Sequence, residues 1–146
     1  MRIRPMQDSD MPAMVDLWVE SWRDAMPQID FEARRGWFAE RIGGLRSEGV
    51  SVFVAEDDDG LAGFVTIDER SGHLDQLAAA RRNWGRGVGV ALLDHAKASS
   101  PSGVRLEVNA GNARAVRFYE REGFVRTGEG VSAASGLPLH HYAWAP

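Results

Sequence analysis

The spacing of apolar residues changes several times along the chain, and each change marks a new secondary-structure element. Between residues 10 and 27, methionine, valine and tryptophan recur every three or four positions, which predicts a helix with one buried face. A second helix is predicted over residues 30–42, with Asp30 as its N-cap and Gly43-Gly44 as its end. A short strand, Arg2–Pro5, is predicted before both helices.

Three of the five tryptophans lie in this predicted helix pair, at Trp18, Trp22 and Trp37. Large aromatic residues at helical spacing usually pack in a core. They can also form the wall of a substrate pocket, and the spacing alone does not separate the two roles.

From residue 50 onwards the apolar positions are arranged as in strands. Residues 52–55 and 61–67 predict a hairpin around the turn Asp57-Asp58-Asp59-Gly60. Four further strands are predicted, at residues 73–79, 104–108, 124–127 and 140–144.

Two more helices are predicted among these strands. One follows the Gly-rich turn 84–89 and continues to about Lys97 with a buried apolar stripe. The other starts at the N-cap Asn112 and runs to about Arg121, and Gly123 takes the C′ position that ends it. This order of strands and helices predicts one α/β domain over residues 1–146, with helices packed on a mixed sheet.

Composition limits the classes of function. A chain of 146 residues without cysteine has no thiol nucleophile and no disulfide framework, as expected of a cytoplasmic protein. The net charge of −4 argues against bulk nucleic-acid binding. No apolar run approaches the roughly 20 residues that span a bilayer, and the polar residues 1–10 do not resemble a signal peptide. The adjacent His140 and His141 would point to opposite faces of a strand, so no metal site is predicted.

The most informative segment is the Gly-rich turn. Gly85, Gly87 and Gly89 expose backbone N–H groups just before a helix N-terminus, whose dipole adds positive potential. This arrangement predicts a site for a phosphate or pyrophosphate. Three arginines flank it: Arg81, Arg82 and Arg86. Neither the dinucleotide fingerprint G-x-G-x-x-G nor the P-loop pattern fits these residues, and the alternative is a turn that only joins strand to helix.

Two segments together resemble the GNAT-type N-acetyltransferases, which move an acetyl group from acetyl-coenzyme A (acetyl-CoA) to an amine. Trp84-Gly85-Arg86-Gly87-Val88-Gly89 is similar to the family's Arg/Gln-x-x-Gly-x-Gly/Ala loop, with Trp84 in the Arg/Gln position. About 20 residues downstream, 108–124 resembles the segment Asn-x-x-Ala-x-x-Phe-Tyr-x-x-x-Gly-Phe. The resemblance covers nearly the whole chain. It implies the acyl-CoA N-acyltransferase (GNAT) fold: a central mixed, mostly antiparallel sheet of about six or seven strands flanked by about four helices.

The resemblance also implies a coenzyme A site built from three parts. Backbone groups of a strand would pair with the pantetheine amides, at Leu77, Ala78 and Ala79. Backbone N–H groups would hold the pyrophosphate along the loop and the first helical turn: Gly85, Arg86, Gly87, Val88, Gly89 and Val90. Trp84, at the start of this loop, is also expected among the cofactor-binding residues. Asn112 would fix the pantetheine arm. Trp84 departs from the family's Arg/Gln, so the part played by its side chain is not implied.

Acetyl transfer to an amine requires a base, because a lysine-like amine near pKa 10.4 is mostly protonated at neutral pH. Making it neutral at pH 7 costs about 3.4 pK units, or roughly 4.6 kcal/mol, and a base near pKa 6.5 suits this task better than a carboxylate. The resemblance places His73 where many relatives carry a glutamate base. Asp75 shares the predicted strand face and could orient His73 or act as the base itself. Alternatively, His73 begins the strand and only bonds to nearby backbone.

Tyr119 is predicted as the catalytic acid. Asn112 and Tyr119 are two helical turns apart and face the same way, so one ligand can touch both. In the family that the chain resembles, the tyrosine at this position protonates the departing thiolate of coenzyme A. The alternative is a packed tyrosine with a satisfied hydroxyl.

These features predict an acetyl-CoA-dependent N-acetyltransferase that acts by direct transfer on a primary amine of a small molecule or peptide. The alternative from another class is a coenzyme A-binding sensor domain without transferase activity, and transfer to an alcohol stays open. The acceptor pocket is expected between the first two helices, the loop 131–138 and the last strands. The resemblance allows a homodimer, and no membrane or nucleic-acid partner is expected.

Overall fold

The computed structural model describes residues 1–146, except for the side chain of Asp24. Its strands are β1 (Arg2–Pro5), β2 (Ser51–Asp57), β3 (Gly60–Ile67), β4 (Leu77–Ala79), β5 (Val104–Asn109), β6 (Val125–Val131) and β7 (Pro138–Trp144). Its α-helices are α1 (Met11–Ala25), α2 (Arg35–Ser47), α3 (Val88–Ser99) and α4 (Ala113–Arg121). Among the described residues, no helix has the length and hydropathy needed to cross a membrane. The predicted α/β fold, with seven strands and four helices, is confirmed.

The strands form two antiparallel sheets that diverge from a common point. The first has the order β1-β2-β3-β4 and the second β5-β7-β6. An isolated parallel bridge between His73 and Arg105 joins them, and the Leu74 N–H donates to the Arg105 carbonyl at 2.9 Å. Past this point the chain turns away from β5 and pairs with β3, so a cleft opens between β4 and β5.

The strand predicted over residues 73–79 is wrong in its length, because β4 holds only Leu77–Ala79. The N–H groups of Asp75 and Gln76 donate to the side-chain Oγ1 of Thr66, at 3.2 and 3.0 Å. Thr66 is fully buried, and its hydroxyl interrupts the backbone ladder where the chain passes from one sheet to the other. The shared strand face that was expected for His73 and Asp75 is therefore lost.

The predicted end of the second helix at Gly43-Gly44 is also wrong, because α2 continues to Ser47. Leu45 is buried on the same face as Phe38 and Ile42, and this packing outweighs the low helix propensity of two exposed glycines. Its last residue is Ser47, and Gly49, two residues beyond, has φ +88°, the left-handed conformation that commonly closes helices.

The core consists of two clusters on opposite faces of the sheets. Under α1 and α2, Trp18 stacks on Phe38 at a ring-centroid distance of 4.7 Å. Under α3 and α4, the cluster includes Leu92 and Leu106. The three tryptophans of the helix pair, for which the sequence left core and pocket wall as alternatives, differ in burial. Trp18 is in the core, Trp22 is half-buried, and Trp37 is 41% exposed.

Lys97 is the single lysine of the chain. Its Nζ donates to the Glu122 carbonyl at 2.8 Å and lies 4.8 Å from the centre of the Trp144 ring. The side chain thereby ties α3 to the residue that follows α4 and to the last strand.

Candidate active site

A cleft of about 610 Å³ opens where β4 and β5 separate. One wall comes from α1, β4 and the loop before α3, and the other from β5 and α4. A cavity of this size is typical of small-molecule and cofactor sites. Backbone donors, a helix N-terminus and several ionisable side chains converge on it.

The edge of β4 presents backbone groups to the cleft. Gln76 and Ala80 bond to β3, since the Thr66 N–H donates to the Gln76 carbonyl at 2.9 Å and the Ala80 N–H to the Ala62 carbonyl at 2.7 Å. Backbone groups alternate in direction along an antiparallel strand. Leu77 and Ala79 therefore direct theirs away from β3. The Ala79 carbonyl accepts from the Trp84 indole, so the Leu77 groups and the Ala79 N–H remain at the open edge, where an extended ligand that carries amides can pair as an added strand.

The Gly-rich loop delivers a helix N-terminus to the same cleft. Gly85 and Gly87 have φ values of +79° and +85°, which glycine adopts without strain. The next three residues, 88–90, form the first turn of α3, whose N–H groups have no acceptor within the helix. The Arg86 N–H is already bonded to the Asn83 carbonyl at 3.0 Å, so it is not available to a ligand.

Asn112 and Tyr119 both line the cleft from α4. The Asn112 Oδ1 accepts from the Ala115 N–H at 3.2 Å, which confirms Asn112 as the N-cap and leaves Nδ2 as its remaining donor. Tyr119 is 8% exposed, and its ring packs edge-on against Phe118 and Phe124. Burial raises the pKa of the Tyr119 phenol well above its ordinary value, so it holds its proton throughout the neutral range.

Glu107 provides a carboxylate that lines the cleft. On β5, Val104, Leu106 and Val108 are buried on one face, so Glu107 stands on the other. The His73 Nε2 lies 2.9 Å from one Glu107 oxygen and 3.2 Å from the other. The hydrogen bond from His73 holds the pKa of Glu107 below its usual range, although partial burial acts in the opposite direction.

Asp75 is engaged in an ion pair with α2. The Arg41 guanidinium contacts both carboxylate oxygens of Asp75, at 2.6 and 3.1 Å. Burial acts to raise the pKa of Asp75, but the hydrogen bonds and charge of Arg41 bring it below its ordinary value. A carboxylate held in this way is a weak proton acceptor, and it does not touch His73 through any hydrogen bond among the described residues.

Trp84 connects the loop to both walls. Its indole N–H donates to the Ala79 carbonyl at 3.0 Å. The Arg114 guanidinium from α4 lies 3.7 Å from the centre of the Trp84 ring, and that of Arg81 lies 5.4 Å away.

Most of the residues predicted from sequence line this cleft: Asp75, Leu77, Ala78, Ala79, Trp84, Gly85, Gly87, Val88, Gly89, Val90, Asn112 and Tyr119. His73 and Arg86 do not line the cleft. His73 contacts it indirectly, through its hydrogen bond with Glu107. Sequence reasoning missed Glu107 and Arg114. The alternation of β5 places Glu107 on the polar face of a strand, but that pattern does not tell which strand lies beside His73.

Comparison with known proteins gives a consistent set of relatives. Residues 33–146 match the family model described as "Acetyltransferase (GNAT) domain". The chain is 31% identical over 134 residues to the peptidyl-lysine N-acetyltransferase YiaC of Escherichia coli K12, with 84% of this chain and 82% of that protein covered. It is 28% identical over 136 residues to the peptidyl-lysine N-acetyltransferase YjaB of Salmonella typhimurium, covering 93% and 91%.

Solved structures agree with the sequence relatives. The solution structure of apo YjaB from Escherichia coli has a TM-score of 0.79 to this chain, at 27% identity, with 98% of this chain and 96% of that chain covered. A PaiA N-acetyltransferase from Thermoplasma acidophilum, solved in complex with coenzyme A, shares the fold with a TM-score of 0.76 and 20% identity.

Proposed function

Because the chain belongs to the GNAT acetyltransferase family, we propose that it transfers the acetyl group of acetyl-CoA to the ε-amine of a lysine side chain in a protein or peptide. The observation that carries this proposal is the cleft between β4 and β5. It brings the Glu107–His73 pair and the buried Tyr119 to one cavity with a free strand edge and a free helix N-terminus. The names of the relatives, which act on peptidyl-lysine, support the choice of acceptor.

The described residues fit coenzyme A in three ways. The open edge of β4, at the backbone groups of Leu77 and the Ala79 N–H, suits the amides of the pantetheine arm. The first turn of α3 offers N–H groups and a positive dipole to the pyrophosphate. Asn112 retains an amide donor beside the path between them. When bound, acetyl-CoA supplies an activated acetyl thioester.

The other end of the cleft suits a lysine side chain. Trp22 and Ala25 of α1 and Leu74 line it with apolar surface, against which a four-carbon arm can pack. The carboxylates of Glu107 and Asp75 lie in the same lining and attract an ammonium group by their charge. Asp75 serves this electrostatic role better than that of base, because Arg41 occupies both of its oxygens and cannot take a proton from it, whereas the partner of Glu107 is an imidazole.

Glu107 is the proposed base and His73 its proton relay. Glu107 reaches the cleft, whereas His73 contacts Glu107 from behind and has 23% of its side chain exposed. The proton that leaves the acceptor nitrogen passes to the Glu107 carboxylate. In the tautomer whose Nε2 is unprotonated, His73 accepts this proton from Glu107 at Nε2 and releases its Nδ1 proton to solvent. The carboxylate also attracts the charged amine, which helps to place the acceptor before its proton is lost.

Tyr119 is the proposed acid at the departing sulfur. Because burial raises its pKa, the Oη proton is present at every pH at which the enzyme works. A thiolate displaced into the same buried surroundings is itself poorly solvated, so it accepts the Tyr119 proton more readily than a thiolate in water would.

Tyr119→Phe is expected to lower kcat by about 100-fold, the lower end of the range for loss of a general acid, while the affinity for coenzyme A changes less than twofold. The measurement combines thiol-release kinetics with calorimetric titration of coenzyme A. Tyr142→Phe is the matched control, since Tyr142 is the other tyrosine of the chain and its hydroxyl bonds Glu120 at 2.9 Å. An unchanged kcat in Tyr119→Phe would remove the acid role.

The acceptor class is tested with a panel of amines at fixed acetyl-CoA. We expect the highest kcat/KM for internal lysines of unstructured peptides, with lower values for free lysine, polyamines and peptide α-amines. Preference for a small amine over every peptide would reject the lysine proposal and keep the transferase. Binding of acetyl-CoA without turnover of any acceptor would reject the transferase and indicate a coenzyme A sensor.

A further inference from the structure

Trp84 stands where the family loop carries Arg or Gln, and its side chain makes two contacts of different kinds. The indole N–H donates to the carbonyl of Ala79 at the end of β4, at 3.0 Å. The face of the ring lies against the Arg114 guanidinium, whose Cζ is 3.7 Å from the ring centre. Since Trp84 belongs to one wall of the cleft and Arg114 to the other, the stack spans the cleft at its loop end.

Arg114 carries a charge that its described surroundings do not offset. Partial desolvation, followed by repulsion from Arg117 and Arg81, lowers the pKa of the Arg114 guanidinium, although the residue stays exposed to solvent. Arg114, Arg117 and Arg121 stand at positions i, i+3 and i+7 of α4 and all line the cleft. They form a basic row about 10 Å long on one helix face, in a chain whose net charge is −4.

A cluster of like charges facing a cavity is stabilised by an anion. The cleft already offers one anion-binding element, the first turn of α3, directly after the loop that contains Trp84. A planar guanidinium stacked on an indole keeps its N–H edges available for phosphate oxygens, because the ring occupies only its face.

We propose that Trp84 is a positioning residue that holds the Arg114 guanidinium in the cleft as a phosphate-binding group, in place of the side chain that the family loop carries at position 84. The ligand group is a phosphate of the coenzyme A nucleotide, either in the pyrophosphate or at the ribose 3′ position. This inference rests on the proposed function, since it assumes that coenzyme A is the ligand.

The test is calorimetric titration of acetyl-CoA into the intact chain and its variants. Arg114→Ala should raise the Kd by about 10- to 100-fold, as expected for a lost charge-assisted contact, and Arg114→Lys should recover only part of it. Trp84→Leu should raise the Kd by about two- to fivefold through loss of the stack. Trp84→Phe, which keeps a ring face but lacks the indole N–H, should lie between Trp84→Leu and the parent.

Coupling between the two residues is the decisive readout. In the Arg114→Ala background, Trp84→Leu should cause no further loss of affinity, because the ring then has no guanidinium to hold. Arg2→Ala controls for the loss of one positive charge, since Arg2 lies on β1 at the far edge of the first sheet. If the fold-changes in Kd of Trp84→Leu and Arg114→Ala multiply in the double variant, the two residues act independently and the proposal is overturned. An unchanged Kd in Arg114→Ala would overturn it as well.

Two truncated ligands identify the phosphate. If 3′-dephospho-coenzyme A abolishes the difference between the parent and Arg114→Ala, the 3′-phosphate is the bound group, and if the difference persists, it is the pyrophosphate. Acetyl-pantetheine, which has no phosphate, should bind the parent and Arg114→Ala with the same Kd. If Arg114→Ala loses as much affinity for this ligand as for acetyl-CoA, the proposal is overturned. Failure of the parent to bind acetyl-CoA would instead overturn the proposed function.

Discussion

Glu107→Gln is expected to reduce kcat of lysine acetylation by about 100- to 1,000-fold at pH 7, within the range for loss of a general base. The substitution keeps the shape of the side chain and its hydrogen-bonding reach but removes the proton acceptor. The enzyme then depends on the small fraction of lysine that is already neutral, which is about 1 in 2,500 at pH 7 for an amine near pKa 10.4.

The pH dependence separates this role from a structural one. His73 holds the pKa of Glu107 below its usual range, so the parent carries the carboxylate at every pH from 6 to 10. In the variant, kcat/KM should rise steeply with pH and approach the parent value near pH 10, where the acceptor loses its proton unaided. Glu69→Gln, in the exposed turn after β3, is the matched control. A defect of equal size at pH 7 and pH 10 would contradict the base role.

Gly63→Ala is expected to destabilise the fold by about 3 kcal/mol, the scale of overpacking in a well-packed core. A Cβ at Gly63 would lie 2.6 Å from the Ala78 carbonyl oxygen and 2.8 Å from Cδ1 of Leu92. The first of these is backbone of β4 and cannot rotate away. The strand would have to move toward the cleft, so weaker coenzyme A binding should accompany the loss of stability.

Chemical denaturation measures the change in stability, and Gly43→Ala provides a control of opposite sign. Gly43 lies in α2, and a Cβ there would meet no atom within 4 Å beyond its chain neighbours and the nearby backbone of its own helix, so alanine there should stabilise the protein by roughly 0.5–1 kcal/mol through helix propensity. If Gly63→Ala and Gly43→Ala changed the free energy of unfolding by the same amount, the tight packing around Gly63 would be contradicted.

The sequence correctly predicted those helix ends and turns whose hydrogen bonds join residues a few positions apart. The N-cap Asn112 and the terminal Gly123 bound α4 as expected, and the hairpin of β2 and β3 follows its turn residues. These features depend on hydrogen bonds between near neighbours, which the sequence displays directly. The end of α2 depended instead on the burial of Leu45, a contact with distant parts of the chain.

The candidate site was predictable on the cofactor side and less so on the acceptor side. The glycines, Asn112 and Tyr119 belong to contiguous motifs, whereas the pairing of His73 with Glu107 joins residues that are far apart in sequence. That pairing lies where the chain passes between the sheets: His73 bridges to Arg105 of β5, and the next N–H groups of Asp75 and Gln76 donate to the Thr66 hydroxyl. Side-chain bonds of this kind leave no periodic signal.

The contacts of Lys97 affect whether acetyl-CoA can acetylate this protein without catalysis. Thioesters slowly modify exposed amines without any enzyme, yet the one ε-amine of this chain is fastened to a carbonyl and shielded by an indole. Peptide mapping by mass spectrometry after prolonged exposure to acetyl-CoA should show no acetyl group on Lys97 in the folded chain and an acetyl group on Lys97 after denaturation. A chain whose basic side chains are arginines, apart from Lys97, would thus keep its one lysine unmodified in the presence of acetyl-CoA.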